Sequence, residues 1–217
     1  MEFSAVVRRR RMVRNYDPDR PVPPELVERL LEHAVRAPSA GFSQGWAFLV
    51  LTEPADRELF WTATGPARPE VLGGGPSTTE NDKRGPFLTR WLAGMRRAPL
   101  IVVPLADRSA YLERYAEPDK GWTERDESRW PVPYWYVDTG FAALLMLLTA
   151  VDEGLGACFF GIPGERVGAF REAFGVPGSF TPIGAVSVGY PAPDHRPSSL
   201  RRGRRPLAQV VHRGRWG

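Results

Sequence analysis

Phe141-Ala142-Ala143-Leu144-Leu145-Met146-Leu147-Leu148 is the stretch on which the reading of the fold turns. It forms the centre of a helical run from Tyr134 to Glu153, closed by Gly154 and Gly156 in C-terminal positions that favour glycine. The centre is apolar almost all round, so this helix has to be buried on every side, in a domain core or against a partner subunit. The apolar run between Asp138 and Asp152 falls short of the ~20 helical residues that cross a bilayer, so no membrane is expected.

Outward from this helix, Ala157 to Phe160 reads as a strand, Pro163 to Phe174 as a helix and Ile183 to Tyr190 as a strand. On the N-terminal side, Leu100 to Leu105 is a strand that Pro104 is expected to end or to place on a sheet edge. The charged, turn-rich segment from Glu117 to Arg129 is expected to be a surface excursion. Gly65 to Pro86, with Gly73-Gly74-Gly75-Pro76, reads as a loop or lid. Trp46 to Leu51 is a strand and Pro54 to Thr62 a helix. Val22-Pro23-Pro24-Glu25 opens a helix on which Leu26, Val27, Leu30, Leu31, Ala34 and Val35 share a face, until Pro38 stops it. Helices interrupt the strands without a regular βαβ rhythm, which favours α+β over a doubly wound sheet. At 217 residues, 42% of them hydrophobic, one domain over 1–217 is the default.

Twelve of the 29 basic residues sit in two end segments: Arg8, Arg9, Arg10, Arg11 and Arg14, then Arg196, Arg201, Arg202, Arg204, Arg205, Arg213 and Arg215. Such clusters suit an anionic partner, either nucleic acid or a phosphorylated small molecule, or are simply solvated tails. The single cysteine, Cys158, rules out an intramolecular disulfide and reads as a core residue. Met1 to Arg14 has no apolar h-region, so a cytoplasmic protein is expected.

Several chemistries fail in context. Gly41-Phe42-Ser43-Gln44-Gly45 spells the nucleophile elbow of serine hydrolases, but that mechanism needs a strand before the serine and a helix after it, and here the order is reversed. His33, His195 and His212 have no metal-ligand spacing, and His33 reads as a surface residue. Gly154-Leu155-Gly156 lacks the third glycine of a dinucleotide fingerprint and follows a helix. No helix-turn-helix, zinc finger or RNA-binding pattern accompanies the basic ends, so nucleic acid is not expected as a partner.

Four pieces in order remain, and with them the chain resembles the FMN-dependent nitroreductase family over its whole length. They are Arg10-Arg11-Met12-Val13-Arg14-Asn15-Tyr16 followed by Pro21-Val22; Ala37-Pro38-Ser39-Ala40-Gly41-Phe42-Ser43-Gln44-Gly45-Trp46-Ala47-Phe48; the aspartate-led helix Asp138 to Gly156; and Gly189-Tyr190-Pro191 with Arg202-Gly203-Arg204-Arg205-Pro206-Leu207. The resemblance implies an α+β fold, a central, mostly antiparallel sheet flanked by helices, in an intertwined homodimer. It implies FMN as cofactor, NADPH or NADH as donor, and a nitroaromatic, quinone or similar acceptor reduced in two separate steps. Deazaflavin-linked reduction, dehydrogenation, dehalogenation and non-catalytic flavin binding are the alternatives within that resemblance.

Carried over residue by residue, Arg10, Arg11, Arg202 and Arg204 hold the phosphate and ribityl end, where guanidinium forks suit a phosphate. Arg14 lies near the pyrimidine edge, where a fixed positive charge stabilises the reduced ring. Pro38, Ser39 and Ala40 pack on the ring from the other subunit with Gln44 nearby, and the backbone at Gly161 and Ile162 approaches its reactive nitrogen. The flavin carries the chemistry, so no protein acid or base is named. Three positions depart from the family. Met12 replaces a serine that reaches the cofactor, Gly45 replaces a proline and releases its constraint, and Phe42 replaces an asparagine on the substrate side. Phe42 is expected either to favour flat aromatic acceptors or to fill the core under Trp46.

Overall fold

The structure, a computed structural model, describes residues 1–65, 91–122, 124–194 and 202–216. In chain order its elements are α1 (Phe3–Arg9), α2 (Pro24–Ala34), β1 (Trp46–Leu51), α3 (Pro54–Thr64), β2 (Leu100–Asp107), α4 (Arg108–Ala116), α5 (Tyr134–Asp152), β3 (Gly156–Phe160), α6 (Val167–Phe174), β4 (Phe180–Pro182) and β5 (Ala185–Gly189). Residues 91–96 are also helical. The loop expected after Gly65, with Asn81 and Lys83, lies outside the described residues, as do His195, Arg196 and Arg201.

The strands form one sheet in the order β1-β2-β5-β3, with β4 also on β2 and every pairing antiparallel. Side chains alternate across it as the two-residue strand period requires. Leu100, Val102, Ala157, Val186 and Val188 face a core shared with α2 and α5. Ile101, Val103, Leu105, Cys158 and Ala185 face a second core with Phe60 and Trp61 of α3, Met95 and Phe170 of α6. The sheet is thus covered on both faces, which is why Leu100 to Ala106 is apolar without alternation and wholly buried. The α+β, antiparallel expectation holds.

Pro104 neither ends β2 nor lies on an edge. It sits inside the central strand, opposite Phe48 of β1. Its carbonyl accepts from Ile183 N–H at 3.1 Å, and a strand residue's N–H and C=O point the same way. The missing donor therefore faces the junction where β2 changes partner from β5 to β4, so no ladder bond to β1 is lost. The expected 183–190 strand is shortened to β5, which begins after this junction at Ala185, and β4 before it was not expected.

Of the two burials expected for α5, the domain core supplies only part. The helix is 19 residues long and, by length and composition alone, could cross a membrane, although half of it is buried in this fold. Ala142, Ala143, Met146, Leu147 and Ala150 are buried, yet Phe141 and Leu144 are 42% and 45% exposed. The helix is therefore not buried on every side within one chain. Gly154, at φ +73°, ends it, whereas Gly156 already belongs to β3. A Cβ on Gly156 would lie 2.8–2.9 Å from the Val13 side chain. α2 ends at Ala34 and leaves Val35 exposed. His33, at the surface, meets Thr149 Oγ1 at 2.8 Å.

Beyond β3 the chain adds a short parallel bridge, Met12 to Ala157, with Val13 N–H donating to Ala157 O at 3.0 Å. Tyr16 pins this segment. Its buried hydroxyl donates to Val13 O at 2.7 Å and shares a 2.8 Å hydrogen bond with Ser187 Oγ. Burial pushes its phenol well above the usual tyrosine range.

Cys158 is a core residue as expected, 2% exposed, and burial pushes its thiol up to about 11. Only the thiolate reacts, so alkylation of the native protein at pH 8 should run roughly 100-fold slower than in denaturant. Mass spectrometry of iodoacetamide-treated protein reads the rate; fast native labelling would mean that β3 opens in solution.

Candidate functional site

The opening segment lies along the free edge of β3. Arg10 is half-buried, and its Nη1 is buried with no hydrogen-bond partner. An orphaned guanidinium nitrogen costs desolvation that an anion would recover, so this residue fits a phosphate. Arg11 leans toward Asp194 at 3.5 Å and is about half exposed. Asp194 also accepts from the Arg14 backbone N–H at 2.9 Å, while Arg14 Nη1 donates to Met12 O at 3.4 Å. The Met12 side chain packs into both cores, so what it offers outward is backbone. A cavity of about 330 Å³ beside this segment is lined by Arg9, Arg11, Val13, Leu155, Gly156 and Pro191 among others.

The second piece is the turn before β1. Gly41, Phe42 and Gln44 have φ of +61°, +58° and +50°, on either side of a right-handed Ser43, and this left-handed backbone costs energy at the two non-glycine residues. Hydrogen bonds hold it. Gln44 N–H donates to Ser39 Oγ at 3.0 Å, and the Ser43 hydroxyl donates to Ala40 O at 2.7 Å. Asp138 Oδ2, on α5, accepts from Ala40 N–H and from the Tyr111 hydroxyl, both at 2.8 Å. Arg114 Nε donates to Gly41 O at 3.0 Å. Pro38 and Gln44 are exposed, and Phe42 is 75% exposed. Phe42 therefore does not fill the core under Trp46; of the two expectations, that one falls.

Gly45 also has a reason other than loosened backbone. A Cβ there would lie 2.6 Å from Tyr111 Cε2 and 2.7 Å from Asp107 O. The glycine lets α4 close directly on the turn. Tyr111, Arg114 and Tyr115 were not among the residues that the sequence points to, and Asp138 was read only as the head of the central helix, with no partner named. The one available signal was an aspartate in an otherwise apolar helix, which a fold buries only with partners.

The third piece, Gly161 and Ile162, follows β3 directly; Gly161 is exposed and Ile162 half-buried. The ends of the chain do meet: Tyr16 bridges Pro191, Asp17 N–H donates to Tyr190 O at 2.9 Å and Asn15 Nδ2 to Pro193 O at 2.8 Å. The meeting stops there. Arg202 and Arg204 lie exposed in the 202–216 tail, and among the described residues nothing ties them to Arg10 or Arg11. The Arg10–Arg14 segment and the Pro38–Gln44 turn also lie apart, because they flank β3 and β1, the opposite edges of the sheet. Three strand spacings separate those edges, roughly 14 Å.

Comparison with known proteins gives a consistent result. The sequence pattern described as the Nitroreductase family matches residues 7–190. An NADH dehydrogenase of Thermus thermophilus is 30% identical over 97% of this chain and 95% of its own length. A nitroreductase family protein of Clostridium difficile superposes with a TM-score of 0.66 at 22% identity, covering all of both chains. A Desulfovibrio desulfuricans chain assigned as a nitroreductase and solved in complex with FMN also gives 0.66 at 22% identity, over 100% of this chain and 99% of its own.

The packing at Gly45 is directly testable. Gly45→Ala should destabilise the fold by about 1–3 kcal/mol through overpacking against Tyr111, read as a lower midpoint in urea. An unchanged midpoint would mean that α4 does not close on the turn.

Proposed function

Because this chain belongs to the nitroreductase family, we propose that it is a cytoplasmic, FMN-dependent oxidoreductase that works as an intertwined homodimer. It uses reduced nicotinamide to reduce a nitroaromatic, quinone or similar flat acceptor. The observation that carries this reading is the family match itself, one run that includes the opening arginines, the turn at 37–48 and the Gly161–Ile162 loop. The orphaned Arg10 nitrogen supports it from the structure.

The sheet order supports the dimer. The two halves of the site flank opposite edges of one sheet, so they combine when the turn of one copy meets the arginine segment of another. Exposed Phe141, Leu144, Val137 and Tyr136 on α5, with Phe3 and Val7 on α1, supply an apolar face for that second copy. The tail, with Leu207 at 77% and Trp216 at 89% exposure, supplies an arm to reach across. Arg202 and Arg204 lie beyond the matched range, and their part in the site rests on the resemblance of the closing segment.

The chemistry that the bound cofactor supplies is two-electron exchange, nicotinamide in and acceptor out, in two separate steps. The chain's residues position it. Arg10 and Arg11, joined by Arg202 and Arg204, would hold the phosphate; Arg14 would set a positive charge at the pyrimidine edge; Pro38, Ser39 and Ala40 of the second copy, with Gln44 nearby, would pack on the ring; the backbone at Gly161 and Ile162 would approach its reactive nitrogen. Phe42 stands at the acceptor side, where stacking adds ~0.5–1.5 kcal/mol beyond area burial.

Three measurements test this reading. Cofactor extracted from the purified protein should be FMN by mass, because no dinucleotide fingerprint is present; FAD, or no uptake of added FMN, would sink it. Leu144→Arg should give monomer or aggregate by light scattering and lose FMN with the shared site, while Arg202→Ala and Arg204→Ala should each weaken FMN binding by ~1.5–3 kcal/mol. A wild-type monomer fully loaded with FMN would overturn the shared site.

A further inference from the structure

The turn that carries Pro38 to Gln44 is held from two sides by different elements. Its first half hangs on α5, through Asp138 and the Ala40 N–H. Its second half hangs on α4. Arg114 Nε donates to Gly41 O at 3.0 Å. The rest of that guanidinium is occupied as well: Nη1 and Nη2 donate to the two oxygens of Asp119 at 2.7 Å each, and Nη1 reaches Glu117 at 3.0 Å. The hydrogen bond from Arg114 holds the Asp119 carboxyl below its usual range. A bidentate pair of this kind fixes the plane of the guanidinium and so the direction of Nε.

Tyr115, the next residue, closes the other side. Its ring lies where a Cβ on Gly41 would be, 2.6 Å from Cε2. Behind it stand Trp130 and Trp122, with ring centroids 4.5 and 4.8 Å from that of Tyr115. The left-handed Gly41–Phe42 backbone therefore sits between a locked guanidinium and an aromatic wall. Both come from α4 and the segment after it, away from the arginines on the β3 edge.

From this geometry we infer that Arg114 is a positioning residue for the acceptor: clamped by Asp119, it holds Gly41 and Phe42 in the strained conformation that presents the Phe42 ring, while Asp138, which also accepts from Tyr111 of α4, holds the Pro38–Ala40 half through a separate hydrogen bond. The inference rests on the proposed FMN-dependent activity with Phe42 at the acceptor side. It divides the turn into a half that serves the cofactor and a half that selects the acceptor. Without the Gly41 hydrogen bond, the Phe42 backbone relaxes from φ +58° and the ring loses its fixed place.

The test compares wild type with Arg114→Ala and Asp119→Asn. The second leaves Arg114 in place but removes its charged clamp, at a side chain 57% exposed. FMN affinity is read by titrating apoprotein into FMN and following flavin fluorescence. Turnover is read at saturating reduced nicotinamide with menadione, a flat quinone, and with ferricyanide, which needs no stacking surface. Arg114→Ala should raise the menadione KM roughly 5- to 20-fold with kcat within 2-fold, and Asp119→Asn roughly 2- to 4-fold. Both should bind FMN within 2-fold of wild type and keep the wild-type ferricyanide rate. An unchanged menadione KM in both variants, or an FMN affinity that falls in step with it, overturns the inference. A wild-type protein that takes up no FMN overturns the proposed activity and this inference with it.

Discussion

The hydroxyl of Tyr16 holds the opening arginine segment onto the sheet. Between Arg10 and Pro23 the chain has no helix or strand of its own, yet this is where its basic residues turn outward. What fixes the segment is a buried hydrogen-bond knot joining Tyr16 to Val13 O and to Ser187 in β5. A buried hydroxyl left without partners costs about 1–3 kcal/mol, so the segment is held in one register on β3. Arg10, Arg11 and Arg14 take their places along the sheet edge from that register.

The second constraint is the carboxylate of Asp138. It is 3% exposed and accepts from Ala40 N–H and Tyr111. In the low-dielectric interior such a charge is tolerated only with its lone pairs engaged. The central helix, the turn before β1 and α4 are therefore joined at one atom. Gly45 completes the arrangement, because a side chain there would push Tyr111 away from the carboxylate.

Much of the fold was legible. The apolar run of α5, the strand at Trp46–Leu51 and the helix beginning at Pro54 follow from periodicity and punctuation, and the structure keeps them within a few residues. Pro104 was misread because a strand's tolerance for proline depends on what lies beside it, here a junction formed by Ile183 and Gly184 almost 80 residues later. α1 and α4 went unassigned, since their sequences, FSAVVRR and RSAYLERYA, carry too few apolar residues in register to declare a face. The candidate site was legible as letters, in the arginines and the 37–48 turn. Its mechanics were not. The reasons for Gly45 and for the conformation of Phe42 lie in Tyr111, Arg114 and Tyr115, more than 60 residues away, and a local pattern cannot contain them.

The bridge from Met12 to Ala157 and the hydrogen bonds from Tyr16 to Ser187 also set an order of events during synthesis. Met12 and Tyr16 leave the ribosome well before their partners in the sheet, which come about 145 and 171 residues later. While β1, β2 and α5 emerge, Arg10 to Tyr16 has nothing to pair with, and long-range closure of this kind is slow. The segment from Arg10 to Tyr16 can thus be fixed only once β3 and β5 have been made. During elongation the basic residues of this segment have no sheet to pair with, and part of them is withdrawn only when the sheet closes.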